Sequence, residues 1–159
     1  MTSFDPPLPV LRDVVRRALE EDLGVLGDVT SIACIGEDQT AVAAFVAREE
    51  GVLAGSGAAT EVFRQIDESL VVEWRVRDGE PVDAGMELGR VTGSLRSILA
   101  GERVALNLLC HCSGVASLTR RYVRAARGRA RIRDTRKTLP GSAGAAAGRG
   151  ASRGRLQPP

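Results

Sequence analysis

The amino-acid sequence predicts an α+β fold, with helical patterns on both sides of a central group of strands. Two observations lead to this prediction. Apolar residues recur at helical spacing near the start and again after position 97, whereas apolar and polar residues alternate between these segments. Up to position 141 the predicted order is a helix, several strands with a short helix among them, a long helix and one further strand. The length of 159 residues suits one ordinary domain, or a small domain with part of another.

The first predicted helix follows a proline-rich lead. Its apolar residues recur at i, i+3, i+4, i+7 and i+8, which places them on one face of a helix. Gly24 ends the pattern, and the turn-rich segment EDLGVLGDVTS follows at residues 21–31. Within that segment Asp28 and Thr30 are suited to a helix cap or to a turn. The apolar face consists of Leu11, Val14, Val15, Ala18 and Leu19.

Strand patterns occupy the middle of the sequence. In residues 70–79, the apolar side chains of Val72, Trp74 and Val76 alternate with charged ones, which is typical of a half-buried strand. Glycines between residues 78 and 93 predict tight turns that join short strands. Further strands are predicted at residues 40–49 and 51–55, and a short helix at residues 58–66.

Residues 97–126 predict a long helix with a stripe of small apolar residues. Gly114 lies close to this stripe and would permit the close approach of another backbone, or a bend. Residues 130–135 predict a short strand, and the tail at 142–159 is predicted to be disordered because it has nothing with which to form a core. The stripe consists of Ala105, Leu108, Leu109, Cys112, Val115, Ala116 and Thr119.

The net charge of +2 averages two unlike parts of the chain. Residues 1–119 carry 10 basic and 19 acidic groups, and residues 120–159 carry 12 basic groups and one acidic group. No apolar run approaches the roughly 20 residues of a membrane span, and the N-terminus lacks a secretory signal. We therefore expect a soluble, cytoplasmic protein without a membrane partner.

The three cysteines do not predict a metal site or a disulfide framework. Cys110 and Cys112 are two positions apart in a predicted helix, so their thiols point in opposite directions and cannot share a metal ion. With Cys34 they make an odd number, and we expect reduced cysteines with a structural role.

Residues 134–138, DTRKT, are the main candidate for a site that carries chemistry. They end a predicted strand, and they combine the guanidinium of Arg136 with the ammonium of Lys137 and the hydroxyl of Thr135. A guanidinium binds a carboxylate or phosphate with two hydrogen bonds, and an ammonium is a compact point charge. The alternative is a solvated basic turn. Lys137 is the only lysine among 22 basic residues, which favours a specific role.

Arg103 and His111 are two further site candidates. Arg103 lies near the start of the long helix, where a cation opposes the helix dipole; on the residues alone a surface ion pair is the simpler interpretation. His111 is the only histidine and has no neighbouring Asp, Ser or second His in the sequence, so we expect it to pack or to face solvent.

Three segments occur in an order that is similar to a known family: EDLGVLGDVTS, then the pattern ERxxLNxxxxxSGxA from Glu102 to Ala116, then DTRKTxPG from Asp134 to Gly141. Together they resemble quinolinate phosphoribosyltransferase, the carboxylating nicotinate-nucleotide pyrophosphorylase of NAD biosynthesis. The resemblance covers about residues 10–141. It implies transfer of phosphoribosyl from phosphoribosyl pyrophosphate to quinolinate with decarboxylation, which gives nicotinate mononucleotide.

The resemblance also implies an architecture and site residues. Residues 1–101 would form a hammerhead-like open β-sandwich with helices, and residues 102–141 the long helix and first strand of an incomplete α/β barrel. Arg103 would bind quinolinate in the neighbouring subunit of a homodimer. Thr135, Arg136 and Lys137 would line the substrate site, with Arg136 and Lys137 in catalytic roles. The family uses Mg²⁺, whose ligands lie in later motifs that this sequence lacks, and we therefore expect the chain alone to be inactive.

The tail carries a second pattern when its codons are read one nucleotide later. The last three residues, QPP, then permit Asn-His-Arg, and three earlier places in the tail permit Val, Gly-Gly-Gly and Arg-Ala-Leu, in agreement with the family's next motifs. The sequence therefore predicts that residues 142–159 are out of frame.

Two other functions remain as alternatives. The rhythm of residues 78–93, DGEPVDAGMELGRVTG, is similar to biotinyl and lipoyl carrier domains, which would make the chain a non-catalytic, β-rich binding module; however, this stretch contains no lysine to carry a cofactor. The basic residues 120–159 are suited to a nucleic-acid arm, but Tyr122 is their only aromatic residue, so we expect no nucleic-acid partner.

Overall fold

The computed structural model describes residues 7–133, which form four helices and five strands. The α+β class predicted from the sequence is confirmed. The elements are α1 (Leu8–Leu23), α2 (Val29–Cys34), β1 (Thr40–Val46), β2 (Gly51–Val52), α3 (Ser56–Ile66), β3 (Val71–Trp74), β4 (Pro81–Val82), β5 (Glu87–Ser94) and α4 (Leu95–Ala126).

The strands form two antiparallel sheets. The larger has the order β1-β5-β3, and the smaller pairs β2 with β4. Because side chains alternate across a strand, the larger sheet has two different faces. Phe45 and Val91 are buried on the inner face, whereas Val42 and Val71 are exposed on the outer one. The inward alternation predicted for Val72 and Trp74 is confirmed, since both side chains pack against the core.

Helices α3 and α4 cover the inner face of the larger sheet, and α1 packs against these two helices. Phe45 lies at its centre: its ring stacks on that of Trp74 with centroids 4.8 Å apart and meets the edge of Phe63 at 6.1 Å. Burial of a side chain of this size contributes about 1.5–3 kcal/mol. The helices contribute to the same core Val15 and Leu19 from α1, Val62 and Phe63 from α3, and Ile98, Val104, Ala105 and Leu109 from α4.

Helix α4 is one unbroken helix of 32 residues. It begins two residues earlier than predicted, because the Ser94 side chain accepts the N–H of Ser97 and caps it. Cys112 is buried and Cys110 is exposed, as the sequence predicted. No close approach of another backbone occurs at Gly114 within residues 7–133: a methyl group at this position would meet nothing within 4 Å, and α4 continues through it.

The structure does not confirm the strand predicted at residues 130–135. Residues 130–133 are exposed and form no strand, because no described strand lies beside them to accept their backbone hydrogen bonds. Residues 134 and 135 lie outside the described part of the chain, as does the tail at 142–159.

The predicted division between residues 101 and 102 falls inside α4. In residues 7–133, no helix is both long and apolar enough for a membrane span.

Candidate functional site

Arg103 is the one predicted site residue that the structure describes. It lies on α4, a little over two turns after the helix begins, and its side chain is 74% exposed. Its Nη1 donates a hydrogen bond to Oδ1 of Asp22, 2.9 Å away, and the Asp22 side chain is only 18% exposed. The surface ion pair expected from the residues alone is therefore present, with a partner 81 positions earlier.

The segment at residues 21–31 brings acidic groups to Arg103. Helix α1 ends one residue after Asp22, and Gly24 and Gly27 then turn the chain with φ values of 55° and 68°. Asp28 caps α2: its Oδ1 accepts the N–H of Ser31 at 3.0 Å, and its Oδ2 accepts the Ser31 hydroxyl. Of the two roles suggested for Asp28, the helix cap is confirmed.

Helix α2 is attached to the first turn of α4 by another arginine. Arg96 donates from Nε to the carbonyl of Ile35 at 2.7 Å, and from Nη2 to the carbonyl of Ile32 at 3.1 Å. These carbonyls lie at and beyond the C-terminal end of α2, where helix carbonyls lack intrahelical partners. The hydrogen bonds of Arg96, together with the covalent connection, thus set the position of the segment at residues 21–31 relative to Arg103.

Hydrogen bonding at this corner favours the charged form of Asp28. The hydrogen bonds from Ser31 hold the pKa of Asp28 below its ordinary value; burial opposes this shift, and the positive charge of Arg103 adds to it. Within residues 7–133, Asp22 supplies the only hydrogen-bond acceptor of the Arg103 side chain. Since a guanidinium has five N–H donors, most of its donors remain available to a carboxylate or phosphate.

The other predicted site residues cannot be placed beside Arg103. Thr135, Arg136 and Lys137 lie outside the described residues, so their predicted roles stay predictions. His111 is exposed on α4.

From residue 7 to residue 133, no group of three or more His, Cys, Asp or Glu side chains could hold a metal ion. The expected use of Mg²⁺ stays a prediction, and no step through that ion is assigned to these residues.

The described residues form a cleft that sequence reasoning missed. It has a volume of about 170 Å³ and lies between the second half of α4 and the strand pair β2 and β4. Residues from three separate segments line it, and only the run of arginines in α4 could have suggested it from the sequence. The lining residues are Glu50, Gly51, Val52, Pro81, Val82, Asp83, Ser117, Arg120, Arg121 and Arg124.

Comparison with known proteins identifies relatives of the whole described fold. The nicotinate-nucleotide pyrophosphorylase [carboxylating] of Oryza sativa subsp. japonica is 46% identical over 131 residues, which is 82% of this chain and 35% of that protein. The protein of that name from Mycobacterium leprae is 43% identical over 133 residues, 82% of this chain and 47% of that protein. The chain thus spans less than half the length of these relatives.

Solved structures and a family model agree with these relatives. The nicotinate-nucleotide pyrophosphorylase of Francisella tularensis superimposes with a TM-score of 0.86 at 32% identity, over 97% of this chain and 55% of that one. The family model described as "Quinolinate phosphoribosyl transferase, N-terminal domain" matches residues 28–113, more than half of the chain. That range contains Arg103, its neighbour Asp28 and the core elements from β1 to the middle of α4. The chain therefore belongs to the quinolinate phosphoribosyltransferase family.

Proposed function

We propose that this chain is the N-terminal part of a quinolinate phosphoribosyltransferase. The complete enzyme would transfer phosphoribosyl from phosphoribosyl pyrophosphate to quinolinate with loss of carbon dioxide, and so supply nicotinate mononucleotide for NAD biosynthesis. The observation that carries the proposal is the match of residues 28–113 to the family's N-terminal domain, with Arg103 exposed inside that range. The curated relatives are named for this activity.

The proposed role of Arg103 is to bind a carboxylate of quinolinate. Its guanidinium is exposed and donates only one described hydrogen bond, to Asp22. A dianionic pyridine dicarboxylate is stabilised by a cation that presents two parallel N–H groups. In a homodimer Arg103 would serve the active site of the neighbouring subunit, and Thr135, Arg136 and Lys137 would bind substrate in their own subunit.

The 159-residue chain alone is expected to bind quinolinate weakly and to form no product, because it spans less than half of the relatives that carry the activity. Magnesium would assist the pyrophosphate leaving group in the complete enzyme, with ligands outside the described residues. The carrier-like alternative is not favoured, since the only lysine of the chain is Lys137 and a carrier needs a lysine in its exposed turn.

The test is a calorimetric titration of the purified chain with quinolinate, followed by an assay for nicotinate mononucleotide with phosphoribosyl pyrophosphate and Mg²⁺. Arg103→Ala should abolish the binding of quinolinate, whereas Arg90→Ala should leave it unchanged. Arg90 is a suitable control because it is an exposed arginine in an ion pair with Glu87. Binding that survives Arg103→Ala would contradict the assigned role, and product formation by the chain alone would contradict its expected inactivity.

We further infer a cytoplasmic homodimer that has no nucleic-acid partner. The exposed apolar side chains of Leu106, Leu118 and Tyr122 on α4 support an interface with another subunit. Sedimentation of the purified chain over a range of concentrations tests the dimer, and a monomer at all concentrations would contradict it. Titration with a DNA duplex at low salt tests the second point, since binding to phosphates would be strongest there.

A further inference from the structure

The arginine-lined cleft lies apart from Arg103, on the second half of α4. Arg120 and Arg121 follow Ser117 by three and four residues, and Arg124 follows them by four and three, so the four side chains lie on one side of the helix. That face points toward the strand pair β2 and β4, whose residues form the opposite wall. Three cations on adjacent turns repel each other, and the arrangement is more stable when an anion lies between them.

The arginines of this cleft differ from the arginines in the rest of the domain. Between residues 7 and 119 there are ten arginines, and eight of them lie within 4 Å of a carboxylate; Arg48 and Arg77 are the exceptions. None of the three cleft arginines has a carboxylate partner or a hydrogen-bond acceptor among the described residues. Their donors are therefore available to a bound molecule.

Ser117 contributes one more donor to the same place. Its Oγ accepts the backbone N–H of Val52 at 2.8 Å, which fixes the hydroxyl at the wall of the cleft. Its own O–H finds no acceptor within residues 7–133, unlike the hydroxyl of Thr119 on the same helix, which donates to the carbonyl of Val115. The cleft thus combines three guanidinium groups with a half-buried hydroxyl that still has a hydrogen to donate.

Size and charge together define the class of ligand. A cleft of about 170 Å³ is below the roughly 300 Å³ at which pockets begin to hold drug-sized molecules, so a nucleotide would not fit inside it. Glu50 and Asp83 also line the cleft, and they reduce its formal charge from +3 to +1. Several converging donors suit the three or four oxygens of a phosphate group better than the two oxygens of a carboxylate.

We propose that the cleft between α4 and the β2–β4 strand pair is a binding site for a phosphate-class anion, held by Arg120, Arg121, Arg124 and the hydroxyl of Ser117. The site is distinct from Arg103 and does not depend on the proposed enzymatic activity. Glu50 and Asp83 limit its affinity, because they oppose the charge of the ligand across the cleft.

The experiment titrates the purified 159-residue chain with inorganic phosphate, and separately with pyrophosphate and acetate, at constant ionic strength. Amide chemical shifts of Gly51, Val52 and Ser117 are followed in ¹⁵N–¹H spectra. We expect saturable shifts with phosphate and pyrophosphate, and none with acetate. The double variant Arg120→Gln/Arg124→Gln should weaken phosphate binding at least tenfold, because it removes two charge-assisted contacts.

Two further variants keep the test decisive. Arg77→Gln removes an arginine that is also without a carboxylate partner but lies outside the cleft, and it should leave binding unchanged. Glu50→Gln/Asp83→Asn should tighten binding several-fold without altering any arginine. The proposal is overturned if the shifts do not saturate, if Arg77→Gln weakens binding as much as the arginine double variant does, or if removal of the two carboxylates has no effect.

Discussion

The hydroxyl of Ser113 bonds to both backbone polar groups of Ala54: it accepts the N–H at 3.0 Å and donates to the carbonyl at 3.1 Å. Ala54 is only 4% exposed and lies two residues beyond the end of β2, where the sheet offers it no partner. The Ser113 side chain thus makes the hydrogen bonds that a neighbouring strand would otherwise make. These bonds join two segments that are 59 positions apart in the chain.

Replacement of this hydroxyl should destabilise the domain measurably. Ser113→Ala leaves a buried N–H and a buried carbonyl without partners, which costs about 2 kcal/mol in the free energy of unfolding. Thr119→Ala is the control, because its hydroxyl bonds only within α4; we expect a change below about 0.5 kcal/mol. Urea unfolding of both variants measures the difference, and equal effects would contradict the bridging role of Ser113.

Two glycines on either side of Ser56 should respond in opposite ways to alanine. Gly55 has φ +95°, and a methyl group there would lie 3.0 Å from Cβ of Cys112, so Gly55→Ala should destabilise the domain by about 1–3 kcal/mol. Gly57 lies in α3 with open space around it, so Gly57→Ala should leave the stability unchanged or increase it by up to about 1 kcal/mol. Thermal unfolding distinguishes them, and a stable Gly55→Ala protein would show that this contact is not tight.

The ion pair between Arg103 and Asp22 should contribute little to stability. With the arginine side chain 74% exposed, a coupling energy below about 1 kcal/mol is expected from a double-mutant cycle of Arg103→Ala and Asp22→Ala. Loss of quinolinate binding in Arg103→Ala could then be assigned to the site rather than to unfolding. A coupling above about 2 kcal/mol would mean that Arg103 is mainly a structural residue.

Acid should weaken the domain through Glu61. Hydrogen bonds from Arg64 hold the pKa of this buried carboxyl below its ordinary value; burial opposes the shift, and a hydrogen bond from Gln65 adds to it. Because the folded pKa lies below the unfolded one of about 4.3, the stabilisation is present above pH 4.3 and is lost as the pH falls through the folded pKa.

The matching experiment compares Glu61→Gln with the unaltered chain in urea between pH 7 and pH 3. The variant should be less stable at pH 7, and the difference should shrink below about pH 4. Glu68→Gln removes an exposed partner of the same Arg64 and should have little effect at any pH. A constant difference across the whole range would mean that Glu61 acts through packing and not through its charge.

The proposed frame of the tail is tested on the gene. A single-base change near codon 141 should restore the family's motifs in place of residues 142–159. Sequencing of the gene on both strands checks this, and the hypothesis fails if no such change produces Asn-His-Arg at the position of the last three residues. These residues lie outside the described part of the chain.

The sequence predicted the elements that rest on local patterns. The end of α1 at Gly24 follows from its lack of a side chain, and the alternation of Val72 and Trp74 gave the buried face of β3. The sheet order β1-β5-β3 was not predictable in this way, since it depends on pairing between segments about 50 positions apart. The strand expected at residues 130–135 is absent from its described part, residues 130–133, for a related reason, because a local pattern cannot supply a neighbouring strand.

The same distinction between local patterns and long-range contacts applies to the candidate site. Arg103 could be singled out from its place in a helix and from the family resemblance, but its partner Asp22 could not, because nothing local joins two residues 81 positions apart. The cleft was missed since its walls come from β2, β4 and α4, which meet only in the folded chain.

Helix α4 has a consequence for everything that follows it in the chain. At a rise of 1.5 Å per residue, its 32 residues extend for about 48 Å. Buried residues from Ile98 to Ala116 hold more than half of that length against the domain, and the hydrogen-bond ladder is continuous to Ala126. The direction in which the polypeptide leaves the domain is therefore determined by side chains such as Leu109 and Phe63. A core substitution that tilts α4 would therefore also displace its C-terminal end at Ala126, ten residues beyond the last buried residue, Ala116.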